Sequence, residues 1–275
     1  MDYSCSKSLA LESLYFDIPK LLAGQVRYVL KKRSSSSPDS ADQNPVLLLP
    51  GALDTLEMAF TKQLTSFDPA LTLVAWDPPG YGLSANVAKI WDDQMFLRDA
   101  EIAADLMKYL GFTKFSVIGW SDGAMTALIM AAKHSEVVQR VVAIAGNALL
   151  HSLDIDIYEG CREIDKWDPS AKEPLYVVYG KDKANQLWNS WCDTMKNIYS
   201  QKGGDICGSV LAEVDAPTLV IHGKQDPVVP VDHAHYLAKN LKHGDLYIFA
   251  HAEHDPHVSH SEHCNTIMAS FLKLR

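Results

Sequence analysis

Short continuous runs of apolar residues recur along the chain, and several are followed at once by glycine, proline or aspartate. Runs of this kind are typical of strands that are buried on both faces of a parallel sheet. The polar, serine-rich residues 34–44 interrupt the pattern and predict a surface hairpin loop. The pattern predicts strands at residues 25–30, 46–49, 71–76, 115–118, 141–144, 218–221 and 246–249.

Apolar residues at helical spacing lie between several of the predicted strands. They recur on one face of residues 95–110, and Gly111 then supplies a stop. A second apolar helix is predicted at residues 124–134. Strands that alternate with helices predict an α/β protein, with a mostly parallel central sheet flanked by helices.

Residues 147–209 break this alternation, so we predict a helical cap inserted between two strands of the sheet. The remaining residues, 1–146 and 210–275, would form the core. The aromatic side chains of the insertion either pack its own small core, the commoner arrangement, or face a ligand. They include Tyr158, Trp167, Trp188, Trp191 and Tyr199.

The segment Gly119-Trp-Ser-Asp-Gly123 has the pattern G-x-S-x-G and lies between a predicted strand and a predicted helix. A sharp turn at that place lifts the serine side chain above the sheet, and the glycines on either side avoid clashes. The N-terminus of the helix then directs free N–H groups at an oxyanion. Ser121 is therefore the candidate nucleophile.

A nucleophilic serine needs a base and an orienting acid, which follow it in this chain order in sheets of this kind. Asp226 follows the predicted strand at residues 218–221, and His254 follows the last predicted strand. Both would lie at the carboxyl edge of the sheet, where active sites of open α/β sheets form. His251 and His257 compete with His254 for the base. Asp226 precedes a proline, so its alternative role is that of a turn former.

The oxyanion formed during attack needs two backbone donors. One is expected from Asp122, the residue after the nucleophile. The other is expected from the turn after the strand at residues 46–49, where Gly51 allows a close approach and Ala52 or Leu53 supplies the N–H. The alternative is that Pro50-Gly51 forms a plain turn that ends the strand and supplies no oxyanion donor.

The amino-acid composition limits which binding partners and which cellular compartment we expect for the protein. The chain carries 34 acidic residues against 25 lysines and arginines, so its net charge is −9 at pH 7. That charge disfavours nucleic acid and stable association with anionic membranes. The five cysteines contain no C-x-x-C pair, and we find no leader or membrane-spanning run. We therefore expect a soluble intracellular monomer, with the cytoplasm favoured over the mitochondrion.

Several motifs resemble the α/β-hydrolases, and within them the biphenyl hydrolase-like proteins, the valacyclovir hydrolases. The likeness covers nearly the whole chain. It implies an α/β-hydrolase fold with a helical lid, a Ser-Asp-His triad, and no cofactor. The implied substrates are α-amino acid esters, among them aminoacyl nucleoside-type prodrugs, and thiolactones. The motifs are Leu48-Leu-Pro-Gly51, residues 74–82 (VAWDPPGYG), Gly119-Trp-Ser-Asp-Gly123, Ile157-Tyr-Glu-Gly160, Lys166-Trp167 and residues 221–230 (IHGKQDPVVP).

The resemblance also gives Asp122 a second role, because the family's acidic residue after the nucleophile contacts the α-ammonium group of the substrate. Physical chemistry agrees, since a carboxylate beside the elbow can pair with a cation while its backbone N–H serves the oxyanion. A surface-facing acid at a helix N-terminus is the alternative. Tyr158 and Glu159 are further candidates for lining the pocket.

Two features depart from the family pattern. Pro79 stands where the family often has arginine, so any ion pair of that arginine is missing. In addition, histidines recur every third residue from His251 to His263. Such spacing can bind a metal, but no H-E-x-x-H is present. We expect a solvated helix face and no metal.

Two other functions remain as hypotheses. The same fold and triad can hydrolyse a carbon–carbon bond in a vinylogous diketone (a meta-cleavage product), which calls for a basic residue near the substrate carboxylate. Asp122, being acidic, argues against that reaction. The alternative that is not an enzyme is a non-catalytic receptor with a hydrolase fold, and an intact triad does not exclude it.

Overall fold

The computed structural model describes residues 11–18, 24–33 and 45–273 of the chain. Within these ranges, eight strands form one sheet in the order β1-β2-β4-β3-β5-β6-β7-β8. The predicted α/β fold with a mostly parallel sheet is confirmed. The strands are β1 (Leu14–Asp17), β2 (Gln25–Lys31), β3 (Pro45–Leu49), β4 (Thr72–Trp76), β5 (Phe115–Trp120), β6 (Val138–Ile144), β7 (Thr218–Gly223) and β8 (Gly244–Phe249).

The strand β2 is antiparallel to both of its neighbours, β1 and β4, whereas the other pairs in the sheet are parallel. The predicted hairpin between β2 and β3 is wrong, because β4 lies between these two strands. The residues assigned to that hairpin loop, 34–44, lie outside the described ranges. The four-residue strand β1 was not predicted, since so short a segment carries too little pattern to distinguish it from a loop.

Helices cover both faces of the sheet and give it two hydrophobic layers. Every residue of β3 and β4 is buried, as expected for strands covered on both sides. The helices are α1 (Leu56–Ser66), α2 (Met95–Tyr109), α3 (Asp122–Lys133), α4 (Ser152–Gly160), α5 (Pro169–Tyr179), α6 (Lys181–Lys202), α7 (Asp232–Asn240), α8 (Pro256–Ser259) and α9 (Ser261–Leu272).

The inserted segment, residues 147–209, lies between β6 and β7 and contains α4, α5 and α6. An isolated bridge between Leu149 and Asp205 joins its two ends. Trp188 stacks on Trp191 at 4.7 Å between ring centroids, and Trp167 meets Trp188 edge-on at 5.0 Å. The aromatic side chains therefore form much of the segment's own core. Its status as a separate cap domain remains a prediction.

None of the helices in the described ranges is both long enough and apolar enough to cross a membrane.

Candidate active site

Ser121 occupies the sharp turn between β5 and α3, with a φ of 54°. Positive φ costs a non-glycine residue on the order of 1–2 kcal/mol, so the surrounding structure must impose it. The glycines on either side let the turn close. A Cβ at Gly119 would lie 2.0 Å from the carbonyl oxygen of Gly123, and a Cβ at Gly123 would lie 1.9 Å from that of Leu49. No side chain fits at either place.

Asp226 and His254 form a hydrogen-bonded pair. His254 Nδ1 lies 2.7 Å from Asp226 Oδ2, while the backbone N–H groups of Val228 and Val229 donate to Asp226 Oδ1 at 2.8 and 2.9 Å. Burial alone would raise the pKa of Asp226, but His254, His222 and the Val229 N–H outweigh it and hold the pKa below its usual range. An ionised carboxylate only accepts, so His254 carries its proton on Nδ1 and its Nε2 is free to take another.

The backbone around His254 contacts the elbow through Trp120, the residue before Ser121. Trp120 Nε1 donates to the carbonyl oxygen of His254 at 2.9 Å, and the two rings lie 5.4 Å apart between centroids. The structure thus brings His254, Asp226 and the elbow to one region at the carboxyl edge of the sheet.

The two competing histidines have different surroundings. His251 is exposed. His257 is fully buried, with Nε2 3.1 Å from the carbonyl oxygen of Ala59, and burial lowers its pKa to about 3. Among these three histidines only His254 contacts Asp226. The predicted solvated face is wrong for His257, because it packs between α1 and the elbow's Trp120.

The turn after β3 lies directly against the nucleophile. A Cβ built on Gly51 would come within 3.2 Å of Ser121 Cβ. Leu53 in this turn has a φ of 62° although it is not glycine, and its side chain is buried. Within the described residues, the structure gives no acceptor for the N–H groups of Ala52 and Asp122. The turn that contains Ala52 and Leu53 thus lies beside Ser121, and the role of its N–H groups and that of Asp122 as oxyanion donors stays a prediction.

Asp122 is buried, with 7% of its surface exposed, so it is not the surface acid of the alternative interpretation. Trp191 on α6 donates its indole N–H to Asp122 Oδ2 at 2.9 Å, whereas Oδ1 has no hydrogen-bond partner. Burial raises the pKa of Asp122 to about 7, against the opposing effects of Lys89 and the Trp191 hydrogen bond. The carboxyl group thus keeps one buried oxygen available.

A small cavity of about 10 Å³, room for about one water molecule, lies beside Asp122. Trp76 Nε1 and Tyr81 Oη belong to residues that line it, and neither atom has a hydrogen-bond partner. Asp99 also lines it and pairs with the buried Lys89 at 2.5 Å. Residues that line the cavity therefore carry unsatisfied polar atoms, and the lysine next to it is already paired with Asp99.

The two residues of α4 that were predicted to line the pocket differ in where their side chains lie. Tyr158 is buried and meets Trp191 edge-on at 4.8 Å, next to Asp122. Glu159 points to the surface, where it pairs with Arg162 and Lys196. The Arg162 hydrogen bond lowers the pKa of Glu159 to about 2. The structure does not bring Glu159 to the site, because adjacent helical residues face different directions.

Two residues near the site were missed as site residues. Trp191 was included only among the aromatic residues that either pack the insertion's own core or face a ligand, and nothing in its local sequence distinguishes it from the other tryptophans. Asp54 follows the turn at residues 51–53 and is partly buried. Its withdrawal from water raises its pKa to about 7, with His254 opposing the rise and Asp122 adding to it. Its position directly after Leu53 was the available signal.

Among the residues that the structure describes, no group of three or more histidine, cysteine or acidic side chains is arranged to hold a metal ion.

Comparisons with known proteins agree with the fold. The family model described as the alpha/beta hydrolase fold matches residues 44–169 and 163–261. The chain is 38% identical over 232 residues to "Serine hydrolase BPHL" of Mus musculus, which covers 84% of this chain and 80% of the relative. The Homo sapiens protein of the same name is 38% identical over 229 residues, covering 83% and 79%.

More distant matches include a 2-hydroxy-6-oxo-6-(2'-aminophenyl)hexa-2,4-dienoic acid hydrolase from Metapseudomonas resinovorans, 27% identical over 74% of each chain. The structure of a serine hydrolase involved in carbazole degradation superposes with a TM-score of 0.74 at 22% identity, covering 97% of this chain and all of the other. At that identity the superposition shows the fold alone.

Proposed function

The chain belongs to the α/β-hydrolase family and is a hydrolase, and from that premise we propose that it cleaves carboxylic esters of α-amino acids through an acyl-enzyme. Ser121 would be the nucleophile, His254 the base and Asp226 the orienting acid. A small ester with an α-ammonium group is the proposed ligand. Aminoacyl nucleoside-type esters and thiolactones belong to this substrate class.

In the proposed mechanism, His254 Nε2 takes the proton of Ser121 as the serine oxygen attacks the ester carbonyl. Asp226 keeps the other ring nitrogen protonated and stabilises the imidazolium. That proton then passes from His254 to the departing alcohol or thiol. Water, activated by the same histidine, releases the acid from the acyl-enzyme. The short His254–Asp226 hydrogen bond supports this assignment.

The developing oxyanion would be stabilised by the N–H of Asp122 and by an N–H of the 51–53 turn. Donors of this kind are worth about 3 kcal/mol each in the transition state. The close approach of Gly51 to Ser121 supports the second donor.

The observation that carries the substrate class is the unpartnered Oδ1 of Asp122. A buried carboxylate oxygen that lacks a partner is costly unless a ligand supplies one. Asp122 adjoins the nucleophile, so a cation that reaches it lies near the carbonyl under attack. The α-ammonium of an amino acid ester satisfies both conditions.

Carbon–carbon bond hydrolysis is the competing reaction, and the relative from Metapseudomonas resinovorans is named for hydrolysis of such a dienoic acid. Its substrate carboxylate calls for a free cation in the pocket. Lys89 is the cation near Asp122, and it is paired with Asp99 and lies 4.6 Å over the Tyr81 ring. The charge around Asp122 therefore favours a cationic substrate.

Turnover of matched p-nitrophenyl esters, with and without the α-amino group, tests this proposal. We expect wild-type protein to prefer the amino ester and Ser121→Ala to abolish turnover of both. Equal rates for the two esters would contradict the substrate class. Turnover that survives Ser121→Ala would contradict the nucleophile, and binding without turnover would favour the receptor hypothesis.

A further inference from the structure

We propose that Tyr179, on α5 of the inserted segment, is a positioning residue. It holds the turn at residues 51–53, which carries a proposed oxyanion donor, in the conformation that catalysis needs. The inference rests on the proposed function, since it concerns the donors that surround Ser121. It adds that the inserted segment takes part in the chemical step through a single hydroxyl group.

The Tyr179 hydroxyl bridges two loops of the core. It donates to the carbonyl oxygen of Leu53 at 2.7 Å and accepts from the N–H of Gly82 at 2.8 Å. The direction of both bonds is fixed, because an amide N–H can only donate and a carbonyl oxygen can only accept. Burial raises the pKa of Tyr179 above its usual range, so the hydroxyl keeps the proton that it gives to Leu53.

The residue that Tyr179 holds is strained. Leu53 has a φ of 62°, a conformation that non-glycine residues leave unless other contacts impose it. The peptide unit between Leu53 and Asp54 is held on both sides, since Tyr179 binds its oxygen and the Gly51 carbonyl accepts from its N–H at 3.3 Å. Of these two bonds the one from Tyr179 is much the shorter.

Fixing this peptide unit fixes the oxyanion donors before it. The N–H groups of Ala52 and Leu53 are joined to it through the φ and ψ angles of a three-residue turn, and that turn contacts Ser121. Loss of the Tyr179 hydroxyl lets Leu53 relax toward negative φ, which rotates those N–H groups away from the oxyanion. Such a change weakens the transition state and leaves ground-state ester binding in place.

The chain supplies a matched control on the same helix. Tyr176 lies one turn before Tyr179, and its hydroxyl donates to Asp165 at 2.9 Å at the surface. Tyr176→Phe therefore removes a hydroxyl and a hydrogen bond from α5 without touching the 51–53 turn.

The experiment compares Tyr179→Phe with Tyr176→Phe in the full chain, using p-nitrophenyl acetate so that amino-group recognition plays no part. We expect Tyr179→Phe to lower kcat by about tenfold to 100-fold with KM within about twofold. Affinity for an aryl trifluoromethyl ketone, whose serine adduct carries the oxyanion, should fall by a similar factor. Tyr176→Phe should match wild type in all three measurements.

An unchanged kcat in folded Tyr179→Phe, or equal losses in both variants, would overturn the inference. So would a loss confined to KM. Should Tyr179→Phe fail to fold, fluorotyrosines incorporated at position 179 keep the hydroxyl while varying its acidity. We then expect kcat to change with the phenol's acidity, and a flat series would overturn the inference. Absence of Ser121-dependent turnover in wild type would instead contradict the proposed function.

Discussion

Replacement of Asp122 by asparagine tests substrate recognition most directly. The amide has nearly the size of the carboxyl group, and its oxygen can still accept from Trp191 Nε1, which now binds Oδ2 at 2.9 Å. What is lost is the negative charge at Oδ1, the oxygen without a partner. The variant therefore removes the proposed ammonium contact with little change in packing.

The size of the effect follows from burial. Asp122 is 7% exposed, so water screens its interaction with a bound cation poorly. Loss of one partner from a buried, hydrogen-bonded charge pair costs 2–5 kcal/mol, and about 3 kcal/mol corresponds to about a 150-fold fall in kcat/KM. For the ester without the amino group we expect a change of less than about threefold, because that substrate makes no such pair.

The assay is kcat/KM for the two p-nitrophenyl esters, with Glu159→Gln as the control for loss of an acidic residue outside the site. Similar losses for both esters in Asp122→Asn would refute the ammonium contact and assign Asp122 a general role in catalysis. A loss of the same size in Glu159→Gln would show that overall charge, and no particular residue, sets the preference.

The pH dependence gives an independent measurement on the same residue. Asp122 has a pKa of about 7 because it is buried, and only its ionised form attracts the ammonium. The preference for the amino ester should therefore be present above pH 7 and decline as pH falls through 7. Taking the ratio of kcat/KM for the two esters cancels the contributions of groups that act on both esters alike, and the amino group of the substrate is titrated separately. A ratio that stays flat from pH 5 to 7 would contradict the reasoning.

Four further variants have defined expectations. Asp226→Asn should lower kcat by about 10⁴-fold by releasing the imidazole from its tautomer, measured by steady-state kinetics, and an effect below tenfold would contradict its orienting role. Trp191→Phe removes a hydrogen bond that lowers the pKa of Asp122. The pH at which the preference for the amino ester declines should therefore rise, and an unchanged pH would contradict this. Thermal denaturation should show severe loss of stability in Gly123→Ala, where a Cβ meets a carbonyl oxygen at 1.9 Å. Gly160→Ala, with open space around its Cβ, should stabilise by about 0.5–1 kcal/mol, and equal effects would contradict the steric argument.

The fold was predictable from the sequence because the pattern of apolar residues and the order of strands and helices along the chain both indicate a parallel sheet. Continuous apolar runs such as that ending at Leu49 can be buried only in a sheet covered on both faces. Parallel strands then bring their carboxyl ends to one edge, so the residues after β7 and β8 had to lie near the elbow. Asp226 and His254 were therefore predicted to lie close together without any knowledge of their contacts, and their side chains do form a hydrogen bond.

Side-chain direction was less predictable, because it depends on packing between distant elements. Tyr158 and Glu159 are adjacent in sequence, yet one is buried beside Trp191 and the other pairs with arginine at the surface. His257 repeats the three-residue spacing of its neighbours, but it lies in a short helix that packs on Ala59. Neither outcome is encoded in spacing alone.

Under the proposed function, the position of Asp122 makes recognition of the α-ammonium group depend on the inserted segment. Its backbone is held by the elbow that positions Ser121, so only its surroundings can adjust its charge. One indole N–H, from Trp191, satisfies one oxygen and leaves the other available. A second donor would occupy the oxygen that the substrate needs, whereas loss of the first would raise the pKa of Asp122 and neutralise it at pH 7. The proposed binding of a cation beside Ser121 therefore requires Trp191, and with it α6, in place next to Asp122.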